Sequence, residues 1–360
     1  MNKKSKFRKS LILFLLLVLT TSIPLVSSQN SYLEYNETTN TCTVYPTGSD
    51  DTINLQEAFN LVTANGKGRV KLVEGEYTVN EEIVVINFDG RFMGAGQGKT
   101  ILKTTNRDDW QHRDVTYFPE VASVFLFYQD DVEERTIEIS DMTVEIHATT
   151  DYYDMFFGLN VFDIYGCVDG YITEDETPLN TVFTHVKIIG DTADDWPFVN
   201  TVNPLQVGGQ PHVDGGDWSF EPIAGTHIVK NCYFDTLGGA VKYNSVNGKI
   251  DVKNNVIKDC YGGITLYFCD TVDAPKREIK SNKIYGSGAF PFAGISIWGS
   301  NSFEIKHNKI EDGYTGIDVW MSDEILIKGN LIDGNDLDLS WDMDGDITWK
   351  NNKYTTKNWS

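Results

Sequence analysis

Asp318, in GIDVW (Gly316–Trp320), and Asp342, in DLDLSWDMDGD (Asp336–Asp346), lie 24 residues apart. If the chain returns on itself once per such interval, their carboxyls come to roughly 8 Å of each other. Inverting glycosidases hold an acid and a base about 6.5 to 9.5 Å apart, so these two aspartates are candidates for that pair. Lys242, in GGAVKYNS, is a further ionisable candidate. Alternation around Val241 and Tyr243 points Lys242 outward, whereas alignment on Leu266 points it inward. Tyr267, Trp298 and Trp320 close three similar segments, GITLY, GISIW and GIDVW. Large rings repeated along one face suit the apolar faces of sugars, unless a loop covers them as a satellite core. Thr265, Ser296 and Gln206 would add hydroxyl and amide groups beside them, with Asn160 further upstream. Asp336, Asp338 and Asp344 fall with Ser340 and Asp342 on one side of an extended strand. Such crowding favours Ca2+, although the spacing is not that of an EF-hand.

A repeat is what would bring these residues together. The pattern apolar, any, apolar, two any, Asn, any, apolar recurs through the second half, with Asn231, Asn255, Asn282, Asn308, Asn330 and Asn352 spaced 24, 27, 26, 22 and 22 residues apart. Two earlier copies, ending at Val144 and Ile188, keep the apolar spacing without the Asn. Alternation of period two around a fixed residue means short strands with one face inward. With no amphipathic helix between them, two or three strands per repeat fit one coil of a right-handed parallel β-helix, each coil hydrogen-bonding the next at about 4.8 Å. The asparagines then form a structural ladder along the axis. Outward residues fall into two columns, Thr265, Ser296, Asp318, Ser340 and Tyr267, Trp298, Trp320, Asp342, with Asn160 and Gln206 extending the polar one. Asn54–Glu57 has the form of a capping box, and Leu55, Ala58, Phe59 and Val62 lie at helical spacing. One short helix there would close the N-terminal end of the solenoid, whose open edge otherwise invites pairing.

The remaining composition narrows the partners. Lys3, Lys4, Lys6, Arg8 and Lys9 precede the apolar run Leu11–Leu19, the form of a secretory signal peptide cleaved near Ser28. Nine apolar residues fall short of the roughly 20 that span a bilayer. The formal net charge is -22, and loss of residues 1–28 makes the chain more acidic still. Nucleic acid and anionic membranes are therefore poor partners. Cys42, Cys167, Cys232, Cys260 and Cys269 are odd in number and lack CxxC spacing, so no disulfide pair can be chosen and a metal site is not indicated. The expected organisation is a signal peptide at 1–28, an N-terminal extension at 29–47 and one β-helix domain at 48–360, exported as a monomer.

DTINLQEAFN, GRVKLVEGEYTV and FMGAGQGKTIL resemble the opening of the pectin lyase-like superfamily, the right-handed β-helix proteins that include pectate lyases and polygalacturonases. The resemblance spans about residues 48–354. It implies an all-β, single-stranded right-handed parallel β-helix with a short N-terminal capping helix, and an extracellular polysaccharide as partner. The superfamily's lyases abstract a proton beside a uronate carboxylate with a Lys or Arg base and often use calcium, and the resemblance implies that role for Lys242. Neither the NTD, paired-Asp, GHG and RxK set of polygalacturonases nor the RxPxxR pattern of pectate lyases occurs here. QPHVDGG, with His212 and Asp214, keeps only part of the DPHE motif of alginate epimerases. GAGQGKT (Gly94–Thr100) lacks the first glycine of a phosphate loop, since position 93 is Met93. The expected function is binding and cleavage of a polysaccharide by a lyase or an inverting hydrolase. The alternative is a non-catalytic glycan-binding or cell-surface adhesion module.

Overall fold

The computed structural model describes residues 31–104, 123–129, 131, 133–147, 160–167, 177–190, 203–208, 211–214, 217–220, 223–269, 277–286, 293–341 and 345–354. The signal peptide lies outside them. The later coils each carry three strands, as in Ala293–Trp298, Phe303–Lys306 and Lys309–Glu311, before the next coil opens at Thr315. Their first strands stack into a nine-stranded sheet running from Ile83–Ile86 to Leu337–Trp341. Every pairing in that sheet is parallel. The other strands join a 21-stranded sheet.

Period-two alternation sends Ile264, Ile295, Ile317 and Leu339 into the interior in one stacked column, and Leu266, Ile297 and Val319 into the next. Gly294 and Gly316, second in their strands, are glycines because the corner beside them is full. A Cβ on Gly294 would sit 2.7 Å from Ile310 Cγ2, and one on Gly316 would sit 2.5 Å from Ile332 Cγ2.

The N-terminal end closes as the apolar spacing predicts. Leu55, Ala58, Phe59 and Val62 are fully buried on the helix Thr52–Thr63, and Phe59 packs edge-on against Phe88, Phe92 and Phe127. The helix starts earlier than the Asn54 capping box, with Asp51 at the N-cap. Asp51 spends its carboxylate on the backbone N–H groups of Thr47 and Thr78 instead. Gln56 finishes the cap. Its amide donates to Val84 O at 2.8 Å and accepts from Val84 N at 3.0 Å, so a side chain stands in for the missing neighbour strand at this sheet edge. Sheet structure also begins before the boundary expected at 48. Leu33–Asn36 pairs antiparallel with Thr41–Val44, which pairs parallel with Gly68–Leu72.

The asparagine ladder is present from Asn255 to Asn352. Asn308 donates through its backbone N–H and Nδ2 to Asn330 Oδ1, and its own Oδ1 accepts the same two bonds from Asn282. Asn231 is not a rung, which corrects the repeat alignment by one residue. His227 pairs with Ile250 and Phe234 with Ile257, so Cys232 takes the ladder place and donates its N–H to Asn255 Oδ1. Asn231 instead takes the left-handed turn position before the ladder, with φ 56°, as do Asn254, Ser281 and His307 in later coils. Cys42, Cys232, Cys260 and Cys269 are buried free thiols. Burial pushes Cys232 and Cys260 up to about 12, which leaves them unreactive.

The same shift in register places His227 inside the solenoid with no solvent exposure, 3.0 Å from Thr181 Oγ1 through Nδ1. Burial first, then the charge of Arg277, depresses it from 6.5 to about 3. A depressed histidine is neutral in both folded and unfolded chains above pH 6.5, so its contribution is complete there and falls as pH drops toward 3. Acidification from pH 6.5 to 4.5 should cost up to about 3 kcal/mol through His227. Urea midpoints measured across that range should flatten in His227→Leu. An unchanged pH slope would contradict the assignment.

Candidate functional site

The sheet register assembles a polar column on the outer face of the nine-stranded sheet. In order along the axis it runs Asp163, Gln206, Lys242, Thr265, Ser296, Asp318, Ser340. Lys242 is therefore outward, and Val241 and Tyr243 beside it are buried. Alignment on the glycine misleads at this coil because Ala240 occupies the place of Gly263 and donates its N–H to Gly263 O. Asn160 is not in the column. It pairs with Ser123 and Asn203, and the residue level with Gln206 is Asp163.

Asp163 faces out of the coil yet is only 1% exposed. Its Oδ2 accepts from Asn160 Nδ2 at 2.7 Å, Tyr165 OH at 3.0 Å and Ser123 Oγ at 3.1 Å. Gln206 Nε2 in turn donates to Tyr165 OH at 2.9 Å, and Glu82 Oε1 accepts the Ser123 N–H. Among the described residues Asp163 Oδ1 and Asn160 Oδ1, both buried, have no hydrogen-bond partner. Desolvation lifts Asp163 to about 6 against the downward pull of its three donors and of Lys242. Desolvation also lowers Lys242, with Asp163 acting against it. Asp163 and Lys242 are two coils apart, roughly 10 Å along the axis, with Gln206 between them. Each shift is in the direction of neutral pH, where general acids and bases work best.

The aromatic column is also in register, Tyr267 with Trp298 and Trp298 with Trp320. Its geometry differs from a row of flat platforms. Trp298 and Trp320 stack on each other with centroids 5.4 Å apart and planes 21° apart, and Tyr267 meets Trp298 edge-on at 5.8 Å. Coil spacing brings the rings within stacking distance, so each covers its neighbour's face and leaves edges outward. Trp320, 41% exposed, ends the stack. Lys242 Nζ lies 5.7 Å from the Tyr267 ring centroid, and Trp298 Nε1 donates to Asp318 Oδ2 at 3.1 Å. Contacts thus run unbroken from Lys242 to Trp320.

Two buried devices fix the turns behind these strands. Arg277, with no solvent exposure, donates to the carbonyls of Val246, Gly248, Cys269 and Asn301. Ser300 Oγ accepts from Cys269 N and Ser322 Oγ from Ser300 N, a short serine ladder beside the aromatic one.

Other expected residues separate. Asp342 and Asp344 lie outside the described residues, so the Asp318–Asp342 spacing and the full metal set fall outside them as well. Asp336 is exposed while Asp338 is 2% exposed, so those two do not share the outer side of the strand. The position level with Asp338 on the previous coil is Gly316, whose Cβ direction leads into the filled corner. No group of three or more His, Cys, Asp or Glu able to hold a metal occurs among the described residues. His212 and Asp214 belong to a hairpin, Pro211–Asp214 with Asp217–Phe220, whose side chains are outside them too. No helix of the described residues is long and apolar enough to cross a membrane.

No curated protein matches this chain. Residues 238–358 match the family described as a right-handed β-helix region. Among solved structures, the A-module of a mannuronan C-5 epimerase from Azotobacter vinelandii is 15% identical, with 81% of this chain and 76% of that chain covered at a TM-score of 0.43. The tailspike protein of an Acinetobacter baumannii phage is 13% identical over 88% of this chain and 50% of its own, at 0.49. The catalytic domain of an α-1,3-glucanase, solved with nigerose, is 13% identical over 88% and 67%, at 0.36. These likenesses concern fold alone. The stacked parallel coils, with residues 238–358 matching a right-handed β-helix region, give this chain the fold of a right-handed parallel β-helix.

Proposed function

We propose that this chain is an exported carbohydrate-active enzyme that binds an extracellular polysaccharide along the nine-stranded sheet and cleaves it by elimination at a uronate residue. The observation that carries this reading is the pairing of Asp163 and Lys242 on one outward face, each desolvated and shifted toward the other's range. Lys242 as free amine takes the proton beside the uronate carboxylate. The electrons left behind form the C4–C5 double bond, the C4–O bond breaks, and the leaving oxygen takes a proton from a water that the buried Asp163 carboxyl, two coils away, recharges. Tyr165, Asn160 and Ser123 hold the Asp163 carboxyl in place, and Gln206 holds Tyr165.

A panel of polysaccharides, followed by absorbance near 235 nm for unsaturated ends and by a reducing-sugar assay, tests this. Lys242→Ala should lower the unsaturated product at least about a hundredfold. Lys242→Arg should not restore it, because a guanidinium stays protonated. Full activity in either variant removes Lys242 from the chemistry. Reducing ends without absorbance would replace elimination by hydrolysis, and binding without either signal would favour a glycan-binding module.

A further inference from the structure

Charge is unevenly placed along the groove. The polar column holds one cation, Lys242, and then, three coils on, the carboxylate of Asp318. Thr265 and Ser296 between them are neutral. Asp318 is fixed against Trp298 Nε1, and the turn after Trp320 adds Asp323 and Glu324. Trp320 closes the aromatic stack here, since its other face rests on Trp298. Each coil advances about 4.8 Å, so an extended glycan lying along the column passes about one sugar per coil. A sugar that reaches Trp320 is then about three residues from the one at Lys242.

We infer that the Asp318–Trp320 coil is a distal subsite for an uncharged sugar, and that the substrate is a heteropolysaccharide in which acidic sugars are separated by neutral ones. Resting on the reading of Lys242 given above, the inference adds the pattern of charge the groove accepts. A uronate at Lys242 meets the base and the acid it needs. At Asp318 a second uronate would bring like charges together in a partly desolvated place, whereas a neutral pyranose meets the indole of Trp320 and a carboxylate that accepts its hydroxyls. A homopolymer of uronates presents the wrong charge at that coil in every register.

Four probes test this: polygalacturonate and alginate as homopolyuronates, gellan and hyaluronan as linear polymers that mix glucuronate with neutral sugars. Affinity is read in EDTA by electrophoresis through gels containing each polymer, and cleavage at 235 nm both in EDTA and with Ca2+ added. Wild-type protein should bind the mixed polymers more tightly. Asp318→Asn, which keeps an acceptor for Trp298, should raise affinity for polygalacturonate about tenfold at low ionic strength, with the gain fading as salt screens it. Trp320→Ala should weaken mixed-polymer binding about fivefold. Equal or tighter binding of homopolyuronate by the wild type, or no gain from Asp318→Asn, overturns the subsite. Because these are binding readouts, a chain that shows this charge preference but yields no unsaturated product keeps the subsite and loses the elimination. Binding of none of the four overturns both.

Discussion

Asparagine in place of Asp163 is expected to stabilise the protein at pH 8, leave it unchanged at pH 4, and lower turnover at least about a hundredfold. Asp163 is buried and lifted from 3.8 to about 6. Below pH 4 it is protonated in folded and unfolded chains alike, and burial costs little. Between pH 4 and 6 the unfolded chain releases its proton first. Stability therefore declines through that window and stays lower above it, by up to about 3 kcal/mol. An asparagine there carries no charge to desolvate and still presents an acceptor to Asn160, Tyr165 and Ser123. The gain should appear as several degrees in thermal midpoint at pH 8. His227 works in the opposite sense over nearly the same pH range, losing stability on acidification while Asp163 regains it. Asp163→Asn should therefore be more acid-sensitive than the parent, having lost the contribution that offsets His227. A stabilised but inactive variant is the signature of a charge buried for function. An equally stable variant at pH 8, or one that is both stable and active, would show that Asp163 has no such role.

Legibility in the sequence followed the length of the coil. From Ile250 to Tyr354 the coils are 22 to 27 residues long, and self-alignment correctly placed Thr265, Ser296 and Asp318 in one column and Tyr267, Trp298 and Trp320 in another. Upstream, Asp163 and Gln206 are 43 residues apart although they are adjacent in the sheet. Long excursions between strands hide the repeat there, so the alignment put Asn160 where Asp163 stands. The signal was present in NVFDIYG. Phe162 and Ile164 are inward, and strict alternation puts Asp163 and Tyr165 out. What no pattern could give is that these outward groups are buried, since that depends on what lies over the sheet. Nor could the pattern reveal the stacking of the indoles on one another. In-register neighbours are near enough to share faces, and a side chain prefers another ring to water. The one-residue error at Asn231 has a similar origin. Both Asn231 and Cys232 sit at a turn that tolerates asparagine for two reasons, left-handed backbone and ladder, and the sequence TxIxxNxY satisfies the template one residue out of register.

The ladder itself predicts the largest loss of stability. The Asn308 side chain, in a residue 1% exposed, bonds four groups on three neighbours, accepting from Asn282 N and Nδ2 and donating to Ile279 O and Asn330 Oδ1, apart from its own backbone bond to Asn330. Alanine takes the side-chain partner from Asn282 N–H and Ile279 O and one of two bonds from Asn282 Nδ2 and Asn330 Oδ1, which keep Val252 O and the backbone N–H of residue 308, so a total loss of about 4 kcal/mol is the expected result. Asn308→Asp should fare no better, because a carboxylate cannot donate to Ile279 O and repels Asn330 Oδ1. At the final rung, Asn352 accepts from Asn330 and donates to Ile327 O in a partly buried setting where water can substitute. Asn352→Ala should cost only about 1 kcal/mol. Position also decides how the loss is expressed. Stacked coils are stabilised through their neighbours, and the N-terminal end is held by the helix and by Gln56. A weakened interface at Asn308 should therefore release the coils beyond it before the rest. Amide exchange should accelerate first in Ile325–Lys328 and Ile347–Lys350, while Val70 and Leu72 near the cap stay protected. Uniform loss of protection along the whole solenoid, or equal costs at Asn308 and Asn352, would mean that the amide column is not what couples one coil to the next.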